Sequence, residues 1–133
     1  MTKFTVIGGD SSADLAKRIA RKLKAPYIKT EKKVFPDGES KITINLIPNK
    51  STVLVVQSTY PPVDTNLLEL LSIVTKVQKF SSKIVAVIPY MGYARQDREF
   101  LDGEIITIGV VGKLLKASGV KKVLTVDIHS KLA

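Results

Sequence analysis

Four short runs of apolar, mostly β-branched residues, spaced by segments of helical periodicity, restrict this chain to one class of architecture. They are Phe4 to Ile7, Thr52-Val53-Leu54-Val55-Val56-Gln57, Ile84-Val85-Ala86-Val87-Ile88 and Val123-Leu124-Thr125-Val126. A strand with no polar face is covered on both sides, the condition of a parallel sheet sandwiched by helices. The intervening segments supply the helices. Leu15, Ala16, Ile19, Ala20 and Leu23 form one apolar face, with Ser11 or Ser12 as N-cap and Lys17, Arg18, Arg21 and Lys22 opposite. Asp64 or Thr65 can cap a second helix whose stripe is Leu67, Leu68, Leu71, Val74 and Val77, with Phe80 near its end. Residues 105–117 read as a third helix, with Ile108, Val111, Leu114 and Leu115 inward and Gly119 as its stop.

One region breaks the alternation. Pro26 to Val34 reads as a strand, placed at an edge by its lysines. Phe35-Pro36-Asp37-Gly38-Glu39 contains a turn signal, and Ile42, Ile44 and Leu46 then alternate with polar residues. This predicts an antiparallel hairpin at about 27–46 on a mainly parallel sheet flanked by helices, in a single α/β domain over 1–133.

Composition narrows the function classes. The chain has 133 residues and no cysteine, which removes disulfides and cysteine metal sites. The N-terminus lacks the apolar core of a signal peptide, and no apolar run approaches the ~20 residues of a membrane span. The expectation is a cytoplasmic protein with no membrane association. The net charge of +9, from 21 basic and 12 acidic residues, favours anionic partners. The lysines are scattered and few aromatic residues sit among them, so a stacking platform for nucleic acid is disfavoured.

Two βα turns could carry chemistry. Gly8-Gly9-Asp10-Ser11-Ser12 precedes a helix and could hold an anion. It matches neither a Walker A loop nor a full dinucleotide fingerprint, and a tight turn is the favoured reading. The second, Pro89-Tyr90-Met91-Gly92-Tyr93-Ala94-Arg95-Gln96-Asp97-Arg98-Glu99, leaves the third apolar run at the end where open α/β sheets collect ligands. Arg95 offers a fork of donors suited to phosphate, and Gln96 can donate and accept toward a base edge. Asp127 and His129, two apart after the last run, would point the same way if strand geometry persists. His with Asp can bind a metal, although magnesium prefers oxygen ligands.

Taken together, Phe35-Pro36-Asp37-Gly38-Glu39, Asn66-Leu67-Leu68-Glu69-Leu70-Leu71, the run from Val87 to Arg98, and Val126-Asp127-Ile128-His129 closely resemble the N-terminal half of ribose-phosphate pyrophosphokinase. The resemblance covers nearly the whole chain and implies a phosphoribosyltransferase-like fold. It implies transfer of the β,γ-diphosphoryl group of ATP to ribose 5-phosphate, giving phosphoribosyl pyrophosphate and AMP, with Mg2+ as cofactor. It places Phe35, Asp37, Gly38 and Glu39 around the adenine of a neighbouring subunit in a homo-oligomer. Arg95 and Gln96 would contact ATP of the same chain, and His129 would help place the metal. Members of that family are roughly twice as long. Their second domain carries the ribose 5-phosphate loop and a catalytic lysine, and no residue here corresponds to either. The resemblance therefore implies an ATP-binding half, a truncated product inactive alone, with no catalytic residue of its own. The other readings are a non-catalytic nucleotide-binding relative that regulates such an enzyme, and a basic nucleic-acid-binding domain.

Overall fold

The computed structural model describes residues 3–45, 51–131 and 133. The first apolar run is β1 (Phe4–Gly8), followed by a 3-10 turn over Asp10–Ser12 and by α1 (Ala13–Leu23). The hairpin is β2 (Tyr27–Val34) and β3 (Ser40–Ile44). The remaining elements are β4 (Thr52–Val56), α2 (Val63–Gln78), β5 (Ile84–Tyr90), α3 (Thr107–Ser118) and β6 (Lys122–Asp127). They build one six-stranded sheet in the order β3-β2-β1-β4-β5-β6. Only the β2–β3 pair is antiparallel. The sheet is thus mainly parallel and flanked by helices, as the unalternating runs require. Leu46, expected at the end of the hairpin, lies outside the described residues.

Successive residues of the central strands face opposite layers. Ile7, Val53, Val55, Ala86 and Ile88 pack with Leu70, Ile73 and Val74 of α2 and with Val111 and Leu115 of α3. Val6, Leu54 and Val56 pack against Ala16 and Ala20 of α1. Each such aliphatic side chain, fully withdrawn from water, contributes about 1.5–3 kcal/mol, which is why these runs tolerate no polar face.

Several expectations are corrected. β2 is not an edge strand. Tyr27 to Lys29 pair with β1, while Thr30 to Val34 pair with β3, so its lysines extend past the parallel sheet rather than guarding its side. The edges are β3 and β6. The inward face of α2 is rotated from the leucine stripe. Leu68 is 65% exposed, whereas Asn66, Glu69, Leu70, Ile73, Val74 and Val77 are buried. Counting only apolar positions missed the two polar residues on that face. The helix also starts at Val63, with Pro62 at the cap position, so neither Asp64 nor Thr65 caps it. In α3, which begins two residues later than expected, Val111 and Leu115 are buried but Leu114 is 44% exposed. Gly119 does end α3, at φ 114°, with its N–H on the carbonyls of Leu115 and Lys116.

Candidate functional site at the carboxyl edge of the sheet

The loops after β1, β4, β5 and β6 meet at one edge. The first is fully committed to the fold. The N–H of Gly9 bonds the carbonyl of Val56 at 2.9 Å, and that of Ser12 bonds Gly9 at 3.2 Å. The N–H of Asp10 bonds Oε1 of Glu69 at 2.8 Å, and that of Ser11 bonds Oε1 of Gln57 at 3.2 Å. Ser11 Oγ lies 2.7 Å from the same Gln57 oxygen and 2.8 Å from the Ser58 carbonyl, and Ser12 Oγ accepts from the Ser58 N–H at 2.9 Å. The serines therefore fasten the turn to the end of β4; Ser12 stands at the N-cap position of α1, as one of the two expected candidates, but its hydroxyl makes no cap bond. Gln57 is wholly buried, and its Nε2 donates to the Asn66 carbonyl. Buried Glu69 pairs with Lys32, which also reaches Asp10. A Cβ on Gly9 would stand 2.1 Å from Gln57 Oε1, so this glycine is needed for space. With its amides spent and Asp10 beside it, the turn has nothing to offer an anion. The tight-turn reading holds and the anion cradle does not.

The loop after β5 differs. The strand runs past Pro89 to Tyr90, which pairs with Asp127 of β6. The N–H of Met91 then bonds the Asp127 carbonyl at 3.1 Å, and that of Gly92 bonds Thr59 Oγ1 at 2.8 Å. Met91 and Ala94 are buried. Tyr93 adopts φ 65°, in the left-handed region, and its hydroxyl donates to the Asp64 carboxylate. That acceptor raises the Tyr93 phenol above its ordinary pKa, with burial adding to the effect. A bond from the Gln96 N–H to the Tyr93 carbonyl, 2.9 Å, closes a turn over Ala94 and Arg95. Asp97 follows with its side chain only 2% exposed, held by Arg98 Nε and Nη2 at 3.2 Å each and by Ser130 beyond β6. Arg98 first, and Ser130 second, bring the Asp97 carboxyl down to about 2.

Arg95 and Gln96 are thus exposed on a backbone fixed from both sides. Neither side chain has a hydrogen-bond or ion-pair partner among the described residues. Arg98, the other guanidinium of the segment, is engaged by Asp97 and lies 5.5 Å over the Phe100 ring. His129 is exposed in a bend. β6 ends at Asp127 and Ile128 turns into the core, so strand alternation does not carry through to His129. Among the described residues no three His, Cys, Asp or Glu side chains gather to hold a metal ion. The described donors do not by themselves gather into a metal site, so an ion here would take most of its oxygens from a ligand and water.

Phe35, Asp37, Gly38 and Glu39 form the hairpin tip. The Phe35 N–H bonds the Glu39 carbonyl, the Gly38 N–H bonds the Phe35 carbonyl, and the Glu39 N–H bonds Asp37 Oδ1 at 3.0 Å. Gly38 sits at φ 92°, a conformation that favours glycine. Lys33 Nζ stands 5.4 Å from the Phe35 ring centroid. Asp37, Gly38 and Glu39 line a groove of about 460 Å³ against Thr65, Leu68 and Ser72 of α2. No hydrogen bond or ion pair joins the tip to Arg95, Gln96 or His129 among the described residues. The structure thus brings Arg95, Gln96 and His129 to one edge, through the Asp97–Ser130 tie, and leaves the tip apart. Sequence reasoning missed Gln57, Thr59, Asp64, Asn66 and Glu69 as supports of these loops. The available signals were Gln57 closing an apolar run and Asn66 and Glu69 lying in register with Ile73 and Val77. Among the described residues, no helix is long and apolar enough to cross a membrane.

Comparison with known proteins bears on this edge. Residues 4–119 match the family model described as the N-terminal domain of ribose phosphate pyrophosphokinase. The chain is 39% identical over 127 residues to a ribose-phosphate pyrophosphokinase of Methanobrevibacter smithii, covering 95% of this chain and 42% of that protein. It is 42% identical over 126 residues to the one of Clostridium perfringens, covering 94% and 40%. The crystal structure of phosphoribosylpyrophosphate synthetase from Mycobacterium smegmatis superimposes with a TM-score of 0.89 at 25% identity, over 97% of this chain and 44% of that one. The chain therefore spans less than half the length of these relatives.

Proposed function

This chain belongs to the ribose phosphate pyrophosphokinase family, as its N-terminal domain, and on that premise we propose that it supplies the ATP-binding half of a ribose-phosphate diphosphokinase. In that reaction the anomeric hydroxyl of ribose 5-phosphate forms a bond to the β-phosphorus of ATP. The bond from that phosphorus to the oxygen bridging the α-phosphate breaks, and AMP leaves. The protein's part in such a transfer is alignment and charge neutralisation more than covalent chemistry.

Arg95 gives charge-assisted hydrogen bonds to ATP, and Gln96 fixes the nucleotide's orientation. Phe35, Asp37, Gly38 and Glu39 hold the adenine of a neighbouring copy, Phe35 by stacking and the carboxylates by accepting from the amino group. The chain is accordingly a homo-oligomer, and it works in the cytoplasm. Mg2+ bound with the nucleotide would supply neutralisation of phosphate charge, and His129 would be this chain's contact to it. Ribose 5-phosphate is assigned no residue here.

The observation that carries this reading is the pair Arg95–Gln96, unspent on a fixed turn at the ligand-collecting edge. Calorimetry tests it. The chain binds Mg-ATP, and Arg95→Ala weakens binding roughly tenfold or more, the worth of a charge-assisted bond of ~1.5–3 kcal/mol. Unaltered affinity in a folded Arg95→Ala variant returns the loop to ordinary surface. His129→Ala weakens Mg-ATP but leaves metal-free ATP almost unchanged; equal losses place His129 outside the metal's reach.

A further inference from the structure

We propose that Asp64 and Tyr93 are positioning residues for the nucleotide, a latch between α2 and the β5–α3 loop that holds the Arg95–Gln96 turn in its binding geometry. The inference rests on the reading of Arg95 given above.

Tyr93 is held at three points. Its ring packs against the core cluster between the sheet and α2–α3. Its hydroxyl donates to Asp64 in the first turn of α2. Its carbonyl accepts the Gln96 N–H at 2.9 Å, the bond that closes the turn over Arg95. These attachments oppose a backbone preference. A bulky residue at φ 65° is strained, and a free loop would relax it into an ordinary region. Anchoring of the Tyr93 side chain therefore helps to hold the turn that presents Arg95 in this geometry.

The residue before it is clamped to the same support. A Cβ on Gly92 would stand 2.7 Å from Val63 Cγ1 and 2.8 Å from the Thr59 carbonyl, and the Gly92 N–H bonds Thr59 Oγ1. Val63 and Asp64 are the first residues of α2, so one short stretch of that helix meets both Gly92 and Tyr93. Asp64 makes no capping bond, which leaves its carboxylate to the phenol. An acid in a first helical turn also complements the helix dipole. That role concerns the stability of α2 and is blind to the phenol. The two roles separate experimentally.

The latch predicts an affinity effect out of proportion to its stability effect. Tyr93→Phe keeps the ring in the core and removes only the hydroxyl; Asp64→Ala removes the acceptor. Each should weaken Mg-ATP by about threefold or more, and the double variant by no more than the stronger single, as coupled partners do. Asp64→Asn keeps an acceptor oxygen and should recover much of the loss. Melting temperature is followed in parallel, and Tyr93→Phe serves where Asp64→Ala does not fold. A readout free of nucleotide is the titration of the Tyr93 ring by NMR, expected to return toward the ordinary tyrosine range in Asp64→Ala. Arg95→Ala is run beside them. If Arg95→Ala weakens Mg-ATP while Tyr93→Phe and Asp64→Ala bind as the parent does, the latch is refuted and the site stands. If Arg95→Ala itself is silent, the reading of the site falls and the positioning role with it, whatever the phenol does.

Discussion

Two βα turns at the same edge of one sheet leave their donors in opposite states. The Gly8–Ser12 turn has the look of an anion site, with paired glycines, two serines and a helix behind. Its donors all bond the protein, and its charge is that of Asp10. The Tyr93–Asp97 turn has no such motif. Its backbone is as firmly held, by Thr59, Asp64, Asp127 and Ser130, but Arg95 and Gln96 are left over. Residue types do not distinguish a binding loop from a structural one. What distinguishes them is which donors remain after the fold has taken its own.

The comparison can be broken most directly at its glycines. Gly9→Ala forces a Cβ into Gln57, and Gly92→Ala forces one into Thr59 and Val63. Each should lower stability by about 2–3 kcal/mol, the cost of overpacking a close approach. Only Gly92→Ala should also weaken Mg-ATP among molecules that remain folded. Equal effects of both on affinity would erase the distinction between the turns. Next in size is Ser11→Ala, which removes the single hydroxyl proton shared by Gln57 Oε1 and the Ser58 carbonyl and should cost about 1–2 kcal/mol in a denaturant titration. Arg95→Ala, by contrast, should change stability by less than about 0.5 kcal/mol, since its side chain bonds nothing among the described residues.

Smaller than the Ser11→Ala loss is that of Gly38→Ala at the hairpin tip. A Cβ there meets nothing within 4 Å, so only the φ of 92° resists it, at about 1 kcal/mol. The smallest effect is in acid. Asp97 has a folded pKa of about 2 against its ordinary 3.8, so the folded state favours the ionised form. Its contribution is complete above 3.8 and fades as pH falls from there through about 2. Melting curves of the parent and Asp97→Asn should converge over that interval. A gap independent of pH would mean that the charge of Asp97 does not tie Arg98 and Ser130 together.

β1, β4 and β5 were legible because burial on both faces leaves a continuous apolar signature, and the hairpin because Ile42 and Ile44 alternate beside a Pro-Asp-Gly turn; β6 carries the same signature, but there Val123, Leu124 and Val126 are exposed at the sheet edge, so that run is not covered on both sides as expected. The face of α2 was not legible. Asn66 and Glu69 are buried to serve neighbouring loops, and a hydrophobic pattern cannot register polar residues placed inward for partners distant in sequence. Nor could the sequence separate Arg95 from Arg98. The two guanidiniums are equivalent until Asp97 takes one of them. Ser12 takes the N-cap position expected of Ser11 or Ser12, but not the cap bond, since a serine hydroxyl serves a helix end or a neighbouring strand equally well. His129 was legible as a residue of interest, but its placement depends on β6 stopping at Asp127.

Amide chemical shifts recorded through a titration with Mg-ATP test the central claim most directly. The account predicts that the perturbed amides cluster at Tyr93, Ala94, Arg95, Gln96 and Asp97, with a second group around His129, while Gly9, Asp10, Ser11 and Ser12 stay in place. Perturbation centred on Gly9 to Ser12, with the Arg95 turn unmoved, would contradict it.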